Sequence, residues 1–147
     1  MNLLLDAPVR LGLGRKTWQD IFMDVDLPSF TPPQQHALFD LLVLVMYADG
    51  RLTTAEDEQL QQLLTAMGHA DEIDRQRVFD DVVTRMRPFM ESVHKAKEQA
   101  LLLAGAFTGR PQQKQVLAAV ERIITSDGHV STWENTLLSE LRLKFRL

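Results

Sequence analysis

Cysteine is missing from the sequence altogether. That excludes a disulfide framework, a thiolate zinc site, an iron–sulfur cluster and any chemistry that needs a thiol as nucleophile or reductant. Long hydrophobic runs are missing too. The longest, Leu41 to Ala48, is eight residues and is stopped by Asp49, whereas a membrane-spanning helix needs about 20. The opening Leu3-Leu4-Leu5 ends in Asp6, too short for the apolar core of a signal peptide. No transmembrane segment is expected, and the cytoplasm is the default address. A basic excess is also lacking: 16 Lys and Arg stand against 20 Asp and Glu, a net charge of −4. Affinity for a phosphate backbone grows with the positive charges that meet it, so no nucleic-acid partner is expected.

What is present is ordinary material for a soluble core. The 147 residues are 45% hydrophobic and 24% charged, a length and balance that fit one domain. Sustained alternation of apolar and polar residues is absent, and so are Asn-Gly or Gly-Gly hairpin signals, which leaves helix as the element the patterns support. Lys16 to Asp24 reads as one short helix before Pro28. Thr31-Pro32-Pro33 opens a helix with Thr31 as N-cap and proline in the first turn, running to about Ala48. That helix is apolar all round and is expected to be central and buried. Further helices are predicted over Thr53 to Met67, Asp71 to about Arg87, Pro88 or Glu91 to Phe107, Gln112 to Ser126 and Ser131 to about Lys144, with Gly109-Arg110-Pro111 as a separator. The expectation is an all-α, compact bundle of about seven helices. An N-terminal segment (1–30) holds the short one, and a helical domain (31–147) holds the rest.

An internal repeat lies in this pattern. At an offset of 78, Met46-Tyr47-Ala48-Asp49-Gly50-Arg51-Leu52-Thr53-Thr54-Ala55-Glu56-Asp57 aligns with Ile124-Thr125-Ser126-Asp127-Gly128-His129-Val130-Ser131-Thr132-Trp133-Glu134-Asn135. Each copy is the corner between an apolar helix and an amphipathic one, which suggests two pseudo-symmetric halves. Local physics explains most positions. The glycines end the incoming helix, Thr53 with Glu56 and Ser131 with Glu134 form capping boxes, and Leu52 and Val130 staple the outgoing helix. The aspartates are left over, because a carboxylate at a helix C-terminus opposes the dipole by about 0.3–1 kcal/mol. A neighbouring set of amides or a cation is the natural compensation. Asp-Gly-x-aliphatic-x-x-x-Glu also reproduces the second half of an EF-hand loop, but its first half is absent: Val45 and Tyr47, and Ile123 and Thr125, stand where the earliest ligands belong.

These twin corners, in an acidic all-helical chain, resemble the TerB-like family of tellurite-resistance proteins, a domain also found at the N-terminus of membrane-anchored DnaJ-type co-chaperones. The resemblance covers residues 31–147. It implies a bacterial stress role and an acidic patch that takes a divalent metal, calcium being the first choice. Carried to this sequence, the metal residues would be Asp49, Glu56 and Asp57 in the first copy and Asp127 and Glu134 in the second. Asn135 replaces an acid in the second copy, and His129 sits in its turn, so the second site is the weaker for a hard cation.

Little else in the sequence carries chemistry. The four histidines, at 36, 69, 94 and 129, have no HxxxH or HExxH spacing, and Gly12-x-Gly14 lacks the third glycine of a phosphate loop. No nucleophile–base pair stands out, so an enzyme is not expected. Asp71, Glu72, Asp74, Asp80 and Asp81 read as solvated helix acids. Arg142, Lys144 and Arg146, interleaved with Leu143, Phe145 and Leu147, form a basic-apolar tail that, with Lys95 and Lys97, is suited to peripheral contact with an anionic membrane surface. Trp18 and Trp133 are core residues or anchors for a protein partner. Residues 1–70 hold 4 basic and 9 acidic side chains and residues 71–147 hold 12 and 11, a difference able to orient the chain on a partner. Two readings follow: a non-enzymatic stress protein binding a divalent cation at its corners, and a helical interaction module whose corners are purely structural.

Overall fold

The computed structural model describes residues 25–48, 54–125 and 130–147, all of them helix or connection, with no strand among them. Six α-helices follow in order: α1 (Pro32–Ala48), α2 (Thr54–Ala66), α3 (Glu72–Met86), α4 (Val93–Ala104), α5 (Arg110–Thr125) and α6 (Thr132–Phe145). Short 3-10 turns at Leu27–Ser29 and Arg87–Met90 lead into α1 and out of α3. The short helix expected over Lys16 to Asp24 lies outside the described residues.

The all-α expectation holds, and α1 is the central element. It packs against α2, α3, α4 and α5, while α6 covers α4 and α5. Leu38, Phe39 and every residue from Leu41 to Met46 are buried, as an all-round apolar helix requires. Leu41, Leu44 and Val45 of α1 and Ala119, Val120 and Ile123 of α5 all lie in the core. The approach of α4 to α1 is made by Ala96, Ala100 and Ala104, which are fully covered. Small side chains at this four-residue spacing let two helix backbones come close along one ridge.

Helix limits differ from those predicted in α4, which starts at Val93 and not at Pro88 or Glu91, and again at the start of α5 and the end of α4. Arg110 and Pro111 of the expected separator form the first turn of α5, with Gly109 just before it, since proline lacks only an N–H that a first turn leaves unbonded anyway. At the other end, α4 stops at Ala104, and the chain tightens: the amides of Gly105, Ala106 and Phe107 bond three residues back to Leu102, Leu103 and Ala104. Phe107 then turns inward and meets Phe30 edge-on at 5.8 Å. Elsewhere the caps follow local rules. Asp71 and Ser92 accept the amides of Asp74 and Lys95, and Gly68, at φ +109°, takes the left-handed position that ends α2.

Candidate functional site

The two corners occupy the joints α1–α2 and α5–α6. Asp49 and Asp127 lie outside the described residues, and so does the side chain of Glu56. Asp57 and Glu134 are described, and they differ in kind. Glu134, only 4% exposed, stands in the first turn of α6 and closes the expected capping box. Ser131 Oγ accepts the Glu134 amide at 3.3 Å, and Glu134 Oε1 accepts the Ser131 amide at 2.9 Å and its hydroxyl at 3.0 Å. One carboxylate oxygen is therefore committed to holding the helix start.

Asp57 is half-buried in the first turn of α2. Its charge is felt across the joint by Tyr47, in the last turn of α1. Burial pushes the Tyr47 hydroxyl above its ordinary range, the Asp57 carboxylate adds to that, Arg87 opposes it and Asp80 reinforces it. Asn135, the counterpart of Asp57 in the second copy, is exposed. It lines a polar groove of about 390 Å³ between α5 and α6, together with Thr125, Ser131, Glu121 and Arg142. Glu121 and Arg142 are ion-paired at 2.7 Å, so this groove holds no net excess of negative charge between them. Among the described residues, no group of three or more His, Asp or Glu side chains converges on a common point.

The structure brings together other polar groups that local pattern did not single out. Gln34 of α1 and Gln112 of α5, 78 residues apart, exchange side-chain hydrogen bonds at 2.9 and 3.1 Å. Each also donates to a carbonyl beside the other's helix start, Gln34 to Ala106 and Gln112 to Ser29, both at 3.0 Å. Gln34 Oε1 accepts the Thr31 amide at 2.9 Å as well, so Thr31-Pro32-Pro33-Gln34 is a full capping box. The signal was present: Pro33-Gln34-Gln35 and Pro111-Gln112-Gln113 extend the 78-residue register upstream.

Asp40, 7% exposed on α1, is held by Arg85 of α3 at 2.8 and 3.0 Å. Burial nevertheless dominates and raises its pKa above the ordinary 3.8. Ion pairs also absorb most of the proposed membrane-facing tail. Arg142 serves Glu121, Lys97 serves Glu140 and Lys95 serves Glu91, while the Arg110 guanidinium donates to the Phe145 carbonyl. Trp133 is half-buried against the core; Trp18 and His129 lie outside the described residues. No described helix is long and apolar enough to cross a membrane.

Comparison with known proteins agrees with the corner motif. No curated protein and no solved structure matches the chain. The family model described as tellurite resistance protein TerB matches residues 35–147, which takes in all six helices almost entire and both corners, and the chain belongs to that family.

Proposed function

We propose that the chain is a non-enzymatic, cytoplasmic stress protein of the tellurite-resistance type that takes a divalent cation of the calcium class at its Asp-Gly corners. The first corner, with Asp49, Glu56 and Asp57, is the stronger site; Asp127 and Glu134 form the weaker one. The observation that carries this reading is the position of Asp57, half-buried in the first turn of α2 with its charge felt at Tyr47 in the last turn of α1, while Asp49 is the residue that follows that helix in the sequence. Acids added to a helix C-terminus repel unless a positive charge joins them, and oxygen donors of this kind suit a hard cation. At the second corner, Asn135 supplies no charge and one oxygen of Glu134 is already engaged.

Isothermal titration with calcium, magnesium and manganese tests the proposal. Saturable binding at about millimolar Kd or tighter is expected, with Asp49→Asn losing more affinity than Asp127→Asn. Absence of binding in that range for all three ions refutes it.

A second reading has its own support. The Ser131–Glu134 box accounts for a buried acid with no cation, as it would in a helical protein–protein interaction module. Exposed Leu102 and Leu143, near the ends of α4 and α6, would then belong to the contact face. Equal destabilisation by Ser131→Ala and Asp49→Asn in excess chelator favours this second reading.

A further inference from the structure

The four histidines follow no ligand spacing along the chain, yet the fold brings two of them together. His36 lies on α1, and His69 follows the glycine that ends α2. Their ring centres are 6.4 Å apart with planes inclined at 57°. Two imidazoles bonded to one zinc ion at 2.0–2.1 Å place their ring centres about 5–6 Å apart, a change that small rotations about χ1 and χ2 supply.

The surroundings of His69 prepare it as a ligand. Its Nδ1 lies 2.8 Å from the Asp74 carboxylate, which also pairs with Arg77. An ionised Asp74 can only accept, so the proton sits on Nδ1, and a neutral ring in that tautomer carries its lone pair on Nε2. Carboxylate–histidine pairs of this form orient metal-bound imidazoles and raise their basicity. His69 is fixed further through its backbone: its amide bonds to Leu64 O at 3.0 Å, and its carbonyl accepts from Arg75. His36 is exposed on its helix.

We propose that His36 and His69, juxtaposed at the junction of α1 with the α2–α3 connection, form a two-imidazole site for a borderline transition-metal ion of the zinc or nickel class, with Asp74 as the residue that positions His69. Water fills the remaining coordination positions. Nitrogen donors select these metals over calcium or magnesium, so the site is distinct in place and in chemistry from the oxygen-rich corners, and it does not depend on them.

Tag-free protein titrated with zinc chloride and with nickel chloride tests the assignment. Wild type is expected to show one saturable site tighter than about 0.1 mM, near the middle of the range between weak and structural metal sites. His36→Gln and His69→Gln should each weaken it at least tenfold. Asp74→Asn should weaken it about tenfold, in the range found when a partner behind a metal-bound histidine is removed; a purely structural Asp74 would leave metal affinity unchanged. His94→Gln, whose imidazole lies beside Glu98 on α4, should bind as wild type. The calcium titration of the corners should be unaffected by the histidine substitutions, so failure of one site is distinguishable from failure of the other. Should a variant fold poorly, nickel-induced broadening of NMR signals in the wild type replaces it, and loss of the His36 and His69 signals ahead of His94 is the expected result. No saturable binding of either metal, unchanged affinity in both His36→Gln and His69→Gln, or broadening centred elsewhere overturns the proposal.

Discussion

Replacing Ser131 by alanine separates what the second corner does for folding from what it does for a ligand. The hydroxyl accepts the Glu134 amide and donates to Glu134 Oε1. Its removal leaves an orphaned amide in the first turn of α6 and a buried carboxylate with one partner fewer. N-cap losses of this kind cost about 0.5–2 kcal/mol. Burial of Glu134 places the expected value in the upper half, because water cannot readily replace the lost donor. For a chain of this length, each kcal/mol shifts the melting temperature by about 2–4 °C, so a fall of roughly 2.5–8 °C is expected in differential scanning calorimetry. The shift should be the same in excess chelator, since capping requires no cation. The opposite pattern holds for a ligand that binds only the folded state, which stabilises in proportion to its saturation: under the cation reading, Asp49→Asn should be near neutral in chelator and destabilising when calcium is saturating. A Ser131→Ala protein that melts within about 1 °C of wild type, or whose loss vanishes in chelator, refutes the assignment of Glu134 to the cap.

Gln34→Ala and Gln112→Ala should each cost about 1–2 kcal/mol by urea denaturation, and the double variant less than their sum, because their hydrogen bonds are mutual; strict additivity would mean that the pair is not coupled. Arg85→Ala should lower stability by about 1–3 kcal/mol at pH 7, since it strands the Asp40 carboxylate in the core. The sign of the pH effect follows from the raised pKa of Asp40: its favourable contribution is full below 3.8 and is lost as pH rises through the higher folded value, so Arg85→Ala should regain stability relative to wild type on acidification, and a constant gap between pH 4 and 7 would contradict this.

Most of the fold was legible because helices are specified locally. The apolar sweep of α1, Thr31 as its cap, Gly68 after α2 and the Ser131–Glu134 box each need information from only a few neighbouring residues, and each stands where expected. The start of α5 was misplaced because proline is read as a breaker when its first-turn role is overlooked. Polar pairs were harder. Asp40 interrupts an apolar run, and nothing near it announces Arg85, 45 residues away on α3. His36 and His69 meet only because α1 passes the α2–α3 connection, so spacing rules for ligands on one helix cannot find them. The Gln34–Gln112 pair was recoverable, since the repeat register that revealed the corners also aligns these glutamines.

Under the cation reading, capping and cation binding would draw on the same atoms, and this would set an order between the two corners. A cation that required both oxygens of Glu134 would have to displace the Ser131 amide and hydroxyl, at a cost of about 1–2 kcal/mol, which is roughly a five- to thirtyfold loss of affinity. The sequence pattern puts Glu56 under the same constraint with Thr53, so in either copy the capping glutamate is an expensive ligand. The residue one step further along is not so constrained. In the second copy it is Asn135, exposed and uncharged; in the first it is Asp57, half-buried and with its charge felt at Tyr47. Beyond the aspartate that both corners share, the charge that the cap does not consume is therefore found at the first corner. A hard cation gains most from unshared carboxylate oxygens, so on the cation reading the difference between the two corners lies chiefly at that position, with His129 in the turn of the second corner adding to it.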